Sequence, residues 1–253
     1  MEGKQLVIEL SPSTVRLTSL HTGQVSAHHQ FIFSEKQDFR YKEQLDRFFE
    51  ESGLKSQVHD EYTVSWNSEK TTLVPGNVFG ETDAESVFRL CFGAKTASQD
   101  IDYNRIPEAG LINVFEVPYW VKSYFVLRHP RSVIQHESTM VLRNLMQNPA
   151  YRLKILLIPY ENHFMLTIVK DGKMQFYSVF DYQQPEDILY HFMFTLQQKE
   201  CLQEGDLIWV NGIGTEPSLQ AKFQEQMKRV HDLQKIILTV DEAYILNSHK
   251  LCV

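Results

Sequence analysis

Cysteine, positive charge and long apolar runs are all scarce in this 253-residue chain, and each scarcity removes a class of protein. The three cysteines, Cys91, Cys201 and Cys252, are odd in number and far apart, so neither a disulfide framework nor a Cys-x-x-Cys metal site is expected. That usage fits a reducing compartment. No apolar segment approaches the roughly 18 residues needed to span a bilayer. The start, MEGKQLVIEL, runs into a strand pattern without the basic region, apolar stretch and cleavage site of a secretory leader. A cytoplasmic location without membrane insertion is the expectation. With 25 Lys and Arg against 32 Asp and Glu the net charge is −7, which argues against nucleic-acid binding by broad phosphate neutralisation. Gly-x-Ser-x-Gly is absent, leaving no serine-hydrolase signature. The ten histidines, among them His28, His29, His129, His136, His163 and His191, show no His-Glu-x-x-His spacing and no cysteine partners, so no metal site is expected. His136-Glu137, placed before a helix, can join a site only through the fold. Cys91 and Cys201 lie on or near helix faces, where a small buried apolar residue is expected rather than a nucleophile.

What is present is a globular composition, 43% apolar and 23% charged, and a pattern that occurs twice about 149 residues apart. The first copy reads LVIELSPSTVRLTSLHTGQV from Leu6 to Val25, the second LLIPYENHFMLTIVKDGKM from Leu156 to Met174. Each is an apolar run, a polar turn, an alternating strand and a glycine turn, with Gly23 matching Gly172. Val7/Leu156, Ile8/Leu157, Val15/Phe164, Leu17/Leu166 and Val25/Met174 then pair apolar with apolar, although identities are few. A third strand and an amphipathic helix follow in both. Tyr41, Leu45, Phe48 and Phe49 mark the first helix, closed by Gly53; Ile188, Phe192 and Leu196 mark the second, begun by Pro185-Glu186-Asp187.

Between the copies the pattern predicts a strand at Tyr62–Trp66 and a helix through Val87, Phe88 and Cys91, opened by a Thr82/Glu85 capping box and ended by Gly93. Periodicity fades from Ala94 to Gly110, which reads as a surface loop or a small insertion, around 75–112. A strand at Ile112–Val117, a helix after Pro118, a strand at Arg131–His136 and a helix opened by Ser138 complete the first half. The domain division falls within Asn148–Arg152, giving 1–149 and 150–253. After it come a strand at Asp206–Asn211, a helix begun by Pro217, and a last strand at Lys235–Val240. The aromatic cluster Tyr119-Trp120 through Tyr124-Phe125 suits a core, and an exposed set would mark a protein-binding patch. Mixed sheets covered by helices are implied.

The segment Ile8-Glu9-Leu10-Ser11-Pro12-Ser13-Thr14-Val15-Arg16 resembles the first phosphate loop of the actin-like ATPases, the superfamily of actin, heat-shock chaperones, sugar kinases and pilus-assembly proteins. The chain as a whole is similar to a family of uncharacterised bacterial proteins with that fold. The resemblance implies an α/β, two-lobed actin-like ATPase fold with duplicated ribonuclease-H-like halves and a nucleotide cleft, with ATP and magnesium as cofactors in active members. Residues carried over as nucleotide-binding candidates are Glu9, Ser11, Ser13, Thr14, Asn162, Asn211, Gly212 and Gly214. Here the sequence departs from the superfamily pattern. Glu9 stands where aspartate is usual, Ser11 replaces the loop glycine, and Pro12 removes a backbone donor. In the second loop, Ile158-Pro159-Tyr160-Glu161-Asn162-His163-Phe164, Ile158 takes the acidic position and Tyr160 the glycine position. Val210-Asn211-Gly212-Ile213-Gly214-Thr215 resembles the adenosine-contacting turn, with Gly-x-Gly in place of adjacent glycines.

The expectation is a protein without catalytic residues or a bound cofactor, a pseudoenzyme acting as a binding, assembly or scaffold component with a protein partner. An ATPase or small-molecule kinase using the cleft is the competing class, and a homo-oligomeric structural protein the third.

Overall fold

The structure is a computed structural model and describes residues 3–55, 57–80, 83–147 and 152–250. The expected Thr82 cap, residues 148–151 of the expected division, and Cys252 lie outside the described residues. By internal contacts the chain forms two compact units, one of residues up to Ile106, Gly110–Met140 and the chain from Ser248, the other of Pro107–Ala109 and Val141–Asn247.

The first unit is built on β1 (Lys4–Leu10), β2 (Thr14–His21), β3 (Gln24–Ile32), α1 (Asp38–Glu51) and β4 (Glu61–Trp66). It continues with β5 (Thr71–Pro75), α2 (Ala84–Phe92), β6 (Ile101–Ile106), β7 (Leu111–Glu116), α3 (Tyr119–Arg128), β8 (Val133–His136) and the start of α4 (Glu137–Gln147). Its main sheet has the order β3-β2-β1-β4-β8, antiparallel across the β1-β2-β3 meander and parallel from β1 through β4 to β8. Leu6, Ile8, Leu10, Leu17, Val64 and Trp66 face α1 and α3, whose Leu45, Phe48, Trp120, Tyr124 and Phe125 complete the core. Fully burying a side chain of this size contributes about 1.5–3 kcal/mol. Most of the α3 aromatics are therefore core, with Tyr41 stacked on Trp120 at 4.7 Å, and Tyr119 alone among them is exposed.

The region from β5 to β7 is a subdomain. β5, β7 and β6 form an antiparallel sheet in that order, and Phe88 of α2 packs on Ile101, Ile112 and Val114. β6 corrects the expected loop between Ala94 and Gly110. Only its ends, Ile101 and Ile106, are buried, and the polar centre Asp102-Tyr103-Asn104-Arg105 leaves no alternation to read. Cys91 is exposed, against the expectation of burial, whereas Cys201 is buried.

The second unit carries β9 (Leu153–Pro159), β10 (His163–Lys170), β11 (Lys173–Asp181), α5 (Pro185–Gln198), β12 (Gly205–Trp209), α6 (Leu219–Arg229), β13 (Ile236–Val240) and most of α7 (Tyr244–His249), a helix that the sequence pattern does not signal. Its sheet order, β11-β10-β9-β12-β13, has the same sequence of antiparallel and parallel pairings as the first. The hairpins match in detail. Thr22-Gly23 and Asp171-Gly172 both take positive φ at both residues, the type I′ turn that suits the twist of paired strands. Each hairpin also shifts register at the same offset before its turn, between Ser19 and Leu20 and between Ile168 and Val169. Alternation along β9, β10 and β12 places Ile155, Leu157, Leu166, Leu207 and Trp209 in one core with the apolar faces of α5 and α6.

Candidate functional site

The parallel strands of the first unit end at Leu10, Trp66 and His136, and in open α/β sheets ligands bind beyond such carboxyl ends. The turn after β1 is the first candidate loop. Ser11 Oγ accepts the Thr14 N–H at 3.0 Å and the Ser13 N–H at 3.3 Å, and the Ser11 N–H donates to the Thr14 carbonyl at 2.9 Å. Pro12 has no N–H, and its carbonyl accepts the Tyr41 hydroxyl at 2.8 Å. The loop's backbone donors thus already have acceptors within the loop. A phosphate at these amides would have to displace the Ser11 hydroxyl.

Glu9 lies on the polar face of β1, 4% exposed, and Arg16 Nη1 on β2 donates to its Oε1 at 3.1 Å. Burial raises the Glu9 pKa above the ordinary carboxylate value, and the Arg16 guanidinium opposes that shift. The same sheet face carries Gln5, Thr63 and Ser65, all buried. His249 Nδ1 lies 3.0 Å from Thr63 Oγ1. Among the described residues Ser65 Oγ and His249 Nε2 have no hydrogen-bond partner.

Of the next layer the sequence marks only His136-Glu137. His136 Nδ1 is 2.7 Å from Ser138 Oγ, while Asn113 Nδ2 donates to Ser138 Oγ at 2.9 Å and to Thr139 Oγ1 at 3.0 Å. Thr71 Oγ1 donates to Asn113 Oδ1 at 2.6 Å, and the His136 N–H donates to Asn104 Oδ1 at 2.9 Å. Glu137, fully buried, opens α4 at this edge. The available signal was the run His136-Glu137-Ser138-Thr139 directly after a strand, but its partners on β5, β6 and β7 are brought in by tertiary structure alone.

In the second unit the loop after β9 and the turn after β12 come together. The Gly212 N–H donates to the Pro159 carbonyl at 3.0 Å, and a Cβ on Gly212 would overlap carbons of the Tyr160 ring. Gly214 has φ +81°, and a Cβ there would sit 3.2 Å from Glu161 Cβ. The protein's own loop therefore requires both glycines: the Tyr160 ring and the Pro159 carbonyl oxygen fill the space a side chain at 212 would need, and position 214 has a left-handed backbone. Tyr160 is buried and stacks on His163 at 4.7 Å, and its carbonyl accepts the Tyr182 hydroxyl at 2.5 Å. Desolvation lowers the His163 pKa to about 4, with Asp181 and Glu161 acting weakly in the other direction. Asn162 and Asn211 are exposed. Asn162 Oδ1 is 3.0 Å from His163 Nδ1, and Asn211 Oδ1 accepts the Trp209 Nε1–H at 2.8 Å. The structure thus joins Gly212, Gly214 and the Asn162 loop in one unit and Glu9, Ser11, Ser13 and Thr14 in the other. Among the described residues no three His, Cys, Asp or Glu side chains are grouped to hold a metal ion, and no helix is long and apolar enough to cross a membrane.

Two sheets of this order, each with a turn after its first strand, define the actin-like ATPase fold. A Bacteroides thetaiotaomicron VPI-5482 protein with that fold and unknown function superposes with a TM-score of 0.81 at 15% identity, covering 98% of this chain and 96% of its own. The PilM–PilN type IV pilus biogenesis complex contains a chain with a TM-score of 0.53 at 11% identity, covering 99% and 98%. Residues 1–229 match the protein family of unknown function DUF3822, and the chain belongs to that family. No protein with curated function matches it in sequence.

Proposed function

We propose that this protein is a non-catalytic member of the actin-like ATPase fold that works by binding a protein partner, as an assembly or scaffold component. The observation that carries the reading is the occupation of its nucleotide-facing loops by its own side chains, Ser11 Oγ on the Ser13 and Thr14 amides and the Tyr160 ring on Gly212. Filling of both elements removes the backbone approach on which phosphate and nucleoside binding depend. Partnering as the mode of action draws further support from the name of a structural relative, a complex of PilM with PilN.

A second reading, an ATPase or small-molecule kinase, is favoured by the buried carboxylates of Glu9 and Glu137 near the carboxyl ends of β1 and β8. Thermal unfolding with and without millimolar Mg-ATP separates the two, because a ligand bound only by the folded state raises the melting temperature. The binding-protein reading expects no shift and no phosphate release. Magnesium-dependent ATP turnover that is lost in Glu9→Ala would sink it.

A further inference from the structure

Among the described residues, the last strand of the second sheet has an open edge whose five residues include no proline, charge or bulge. β13 pairs with β12 on one side and ends the sheet on the other. Edge strands are commonly blunted by charge, proline, bulges or shortness. The other edges of the two large sheets have such devices: β3 and β11 meet their neighbours through register shifts, and β8 has four residues. β13 reads Ile-Ile-Leu-Thr-Val, with regular pairing to β12, no charge and no proline. Ile237 is 62% and Val240 40% exposed.

The backbone fixes what the open edge offers. The Lys235 carbonyl accepts the Gly205 N–H, and the Asp241 N–H donates to the Trp209 carbonyl. By alternation, residues 235, 237, 239 and 241 direct their backbone groups toward β12, and Ile236, Leu238 and Val240 direct theirs outward.

We propose that this edge pairs with the same edge of a second copy of this chain, antiparallel about a twofold axis at Leu238. That register sets Leu238 opposite Leu238 and Ile236 opposite Val240, so every outward N–H and carbonyl of one strand meets its complement on the other. Ile237 falls opposite Thr239. Lys235 falls opposite Asp241, twice by symmetry, at non-hydrogen-bonded positions where side chains approach most closely. Lys235 is exposed, and Asp241 is half-buried with its carboxylate accepting the Ala243 N–H. The strand is thus complementary to itself in backbone, in apolar side chains and in charge. Beside it a groove of about 320 Å³, with Met227, Leu233, Ile236 and Leu238 as its apolar wall and Gln224, Lys228 and Gln234 as its polar one, lies on the face to which Val240 of the second copy would be added. Nothing in this pairing depends on whether the protein binds a nucleotide.

Sedimentation velocity of the full chain from micromolar to millimolar concentration tests it, with hydrogen exchange at the β13 amides as a second readout. The expected result is a concentration-dependent dimer that slows exchange at Ile236, Leu238 and Val240 and leaves Ile237 and Thr239 unchanged. Lys235→Glu should raise the dimer dissociation constant about tenfold, and adding Asp241→Lys to the same chain should restore it. Val240→Pro removes an outward N–H without touching the β12 ladder and should leave a monomer; circular dichroism checks that it folds. A monomer at every concentration would overturn the proposal, including one whose β13 amides are slowed only by an extended segment of another protein. So would a dimer that forms equally well in Lys235→Glu and in Val240→Pro.

Discussion

The two large sheets share strand order, strand sense, turn type and the position of a register shift, yet their second faces differ in polarity. In the first unit that face carries Gln5, Glu9, Thr63 and Ser65, buried. In the second it carries Leu156, Ile158 and Met165, which pack on Val141 and Leu145 of α4 and on Tyr244 and Ile245 of α7. A shared backbone plan therefore does not dictate shared chemistry. Ladder hydrogen bonds set the topology, and the side chains of alternate residues decide what each face can hold. The second face of the second unit is mainly apolar core with Thr167 and His163 buried in it, whereas that of the first carries more buried polar groups, which cost free energy unless they are paired.

The largest effect that sharpens this contrast is a cavity in the apolar face. Leu156→Ala is expected to lower stability by about 2–5 kcal/mol, read from the urea midpoint, whereas Ser65→Ala at the polar face should stay within about 1 kcal/mol, because it deletes a buried hydroxyl that has no partner. Equal costs would erase the distinction.

Each unit also holds a buried histidine, so acid probes both. Burial lowers the His163 pKa from 6.5 to about 4 and the His249 pKa from 6.5 to about 3. A histidine that binds its proton more weakly when folded contributes stability that is complete above its unfolded pKa and is lost as pH falls through the folded one. Stability should therefore decline from about pH 6.5 toward pH 4 and below, with His163 contributing up to about 3 kcal/mol of the loss. His163→Gln should flatten part of this decline and His249→Gln a separate part. An unchanged pH profile in both variants would contradict it.

The smallest effect concerns the packing of the loop after β9 on the turn after β12. Gly212→Ala drives a methyl group into the Tyr160 ring and should cost about 1–3 kcal/mol. In the Tyr160→Ala background the ring clash is gone but the Pro159 carbonyl oxygen still lies 2.7 Å from the added methyl, so the same change should cost less without becoming neutral, and the double-mutant cycle measures the ring's share. Additive costs would mean that the Pro159 carbonyl, not the Tyr160 ring, holds position 212 to glycine.

Much of the fold was legible in the chain because its elements announce themselves locally. Gly23 and Gly172 each supply the second positive-φ position of a hairpin turn, and Asp171 readily takes the first, although Thr22 does not; apolar alternation on the strands and 3.6-residue spacing in α1 and α5 survive in both halves. β6 was not legible because its centre is polar, and α7 is a short helix with no strong start signal. Of the candidate site, the sequence pointed to the altered positions Ser11, Pro12 and Tyr160 but not to what they do. That Ser11 turns back on its own loop is a matter of turn geometry, in which the Ser13 and Thr14 amides both reach its hydroxyl. That Tyr160 lies on Gly212 joins residues more than fifty positions apart.

The sequence by itself determined the alternation of strands and helices, the two hairpins and the absence of disulfide or membrane-span signatures, since each depends on the composition or period of neighbouring residues. Tertiary structure alone decided which side chains fill the candidate loops, which sheet face is polar and buried, and which strand is left with an open edge. Those properties depend on pairings between distant segments, and no local period encodes them.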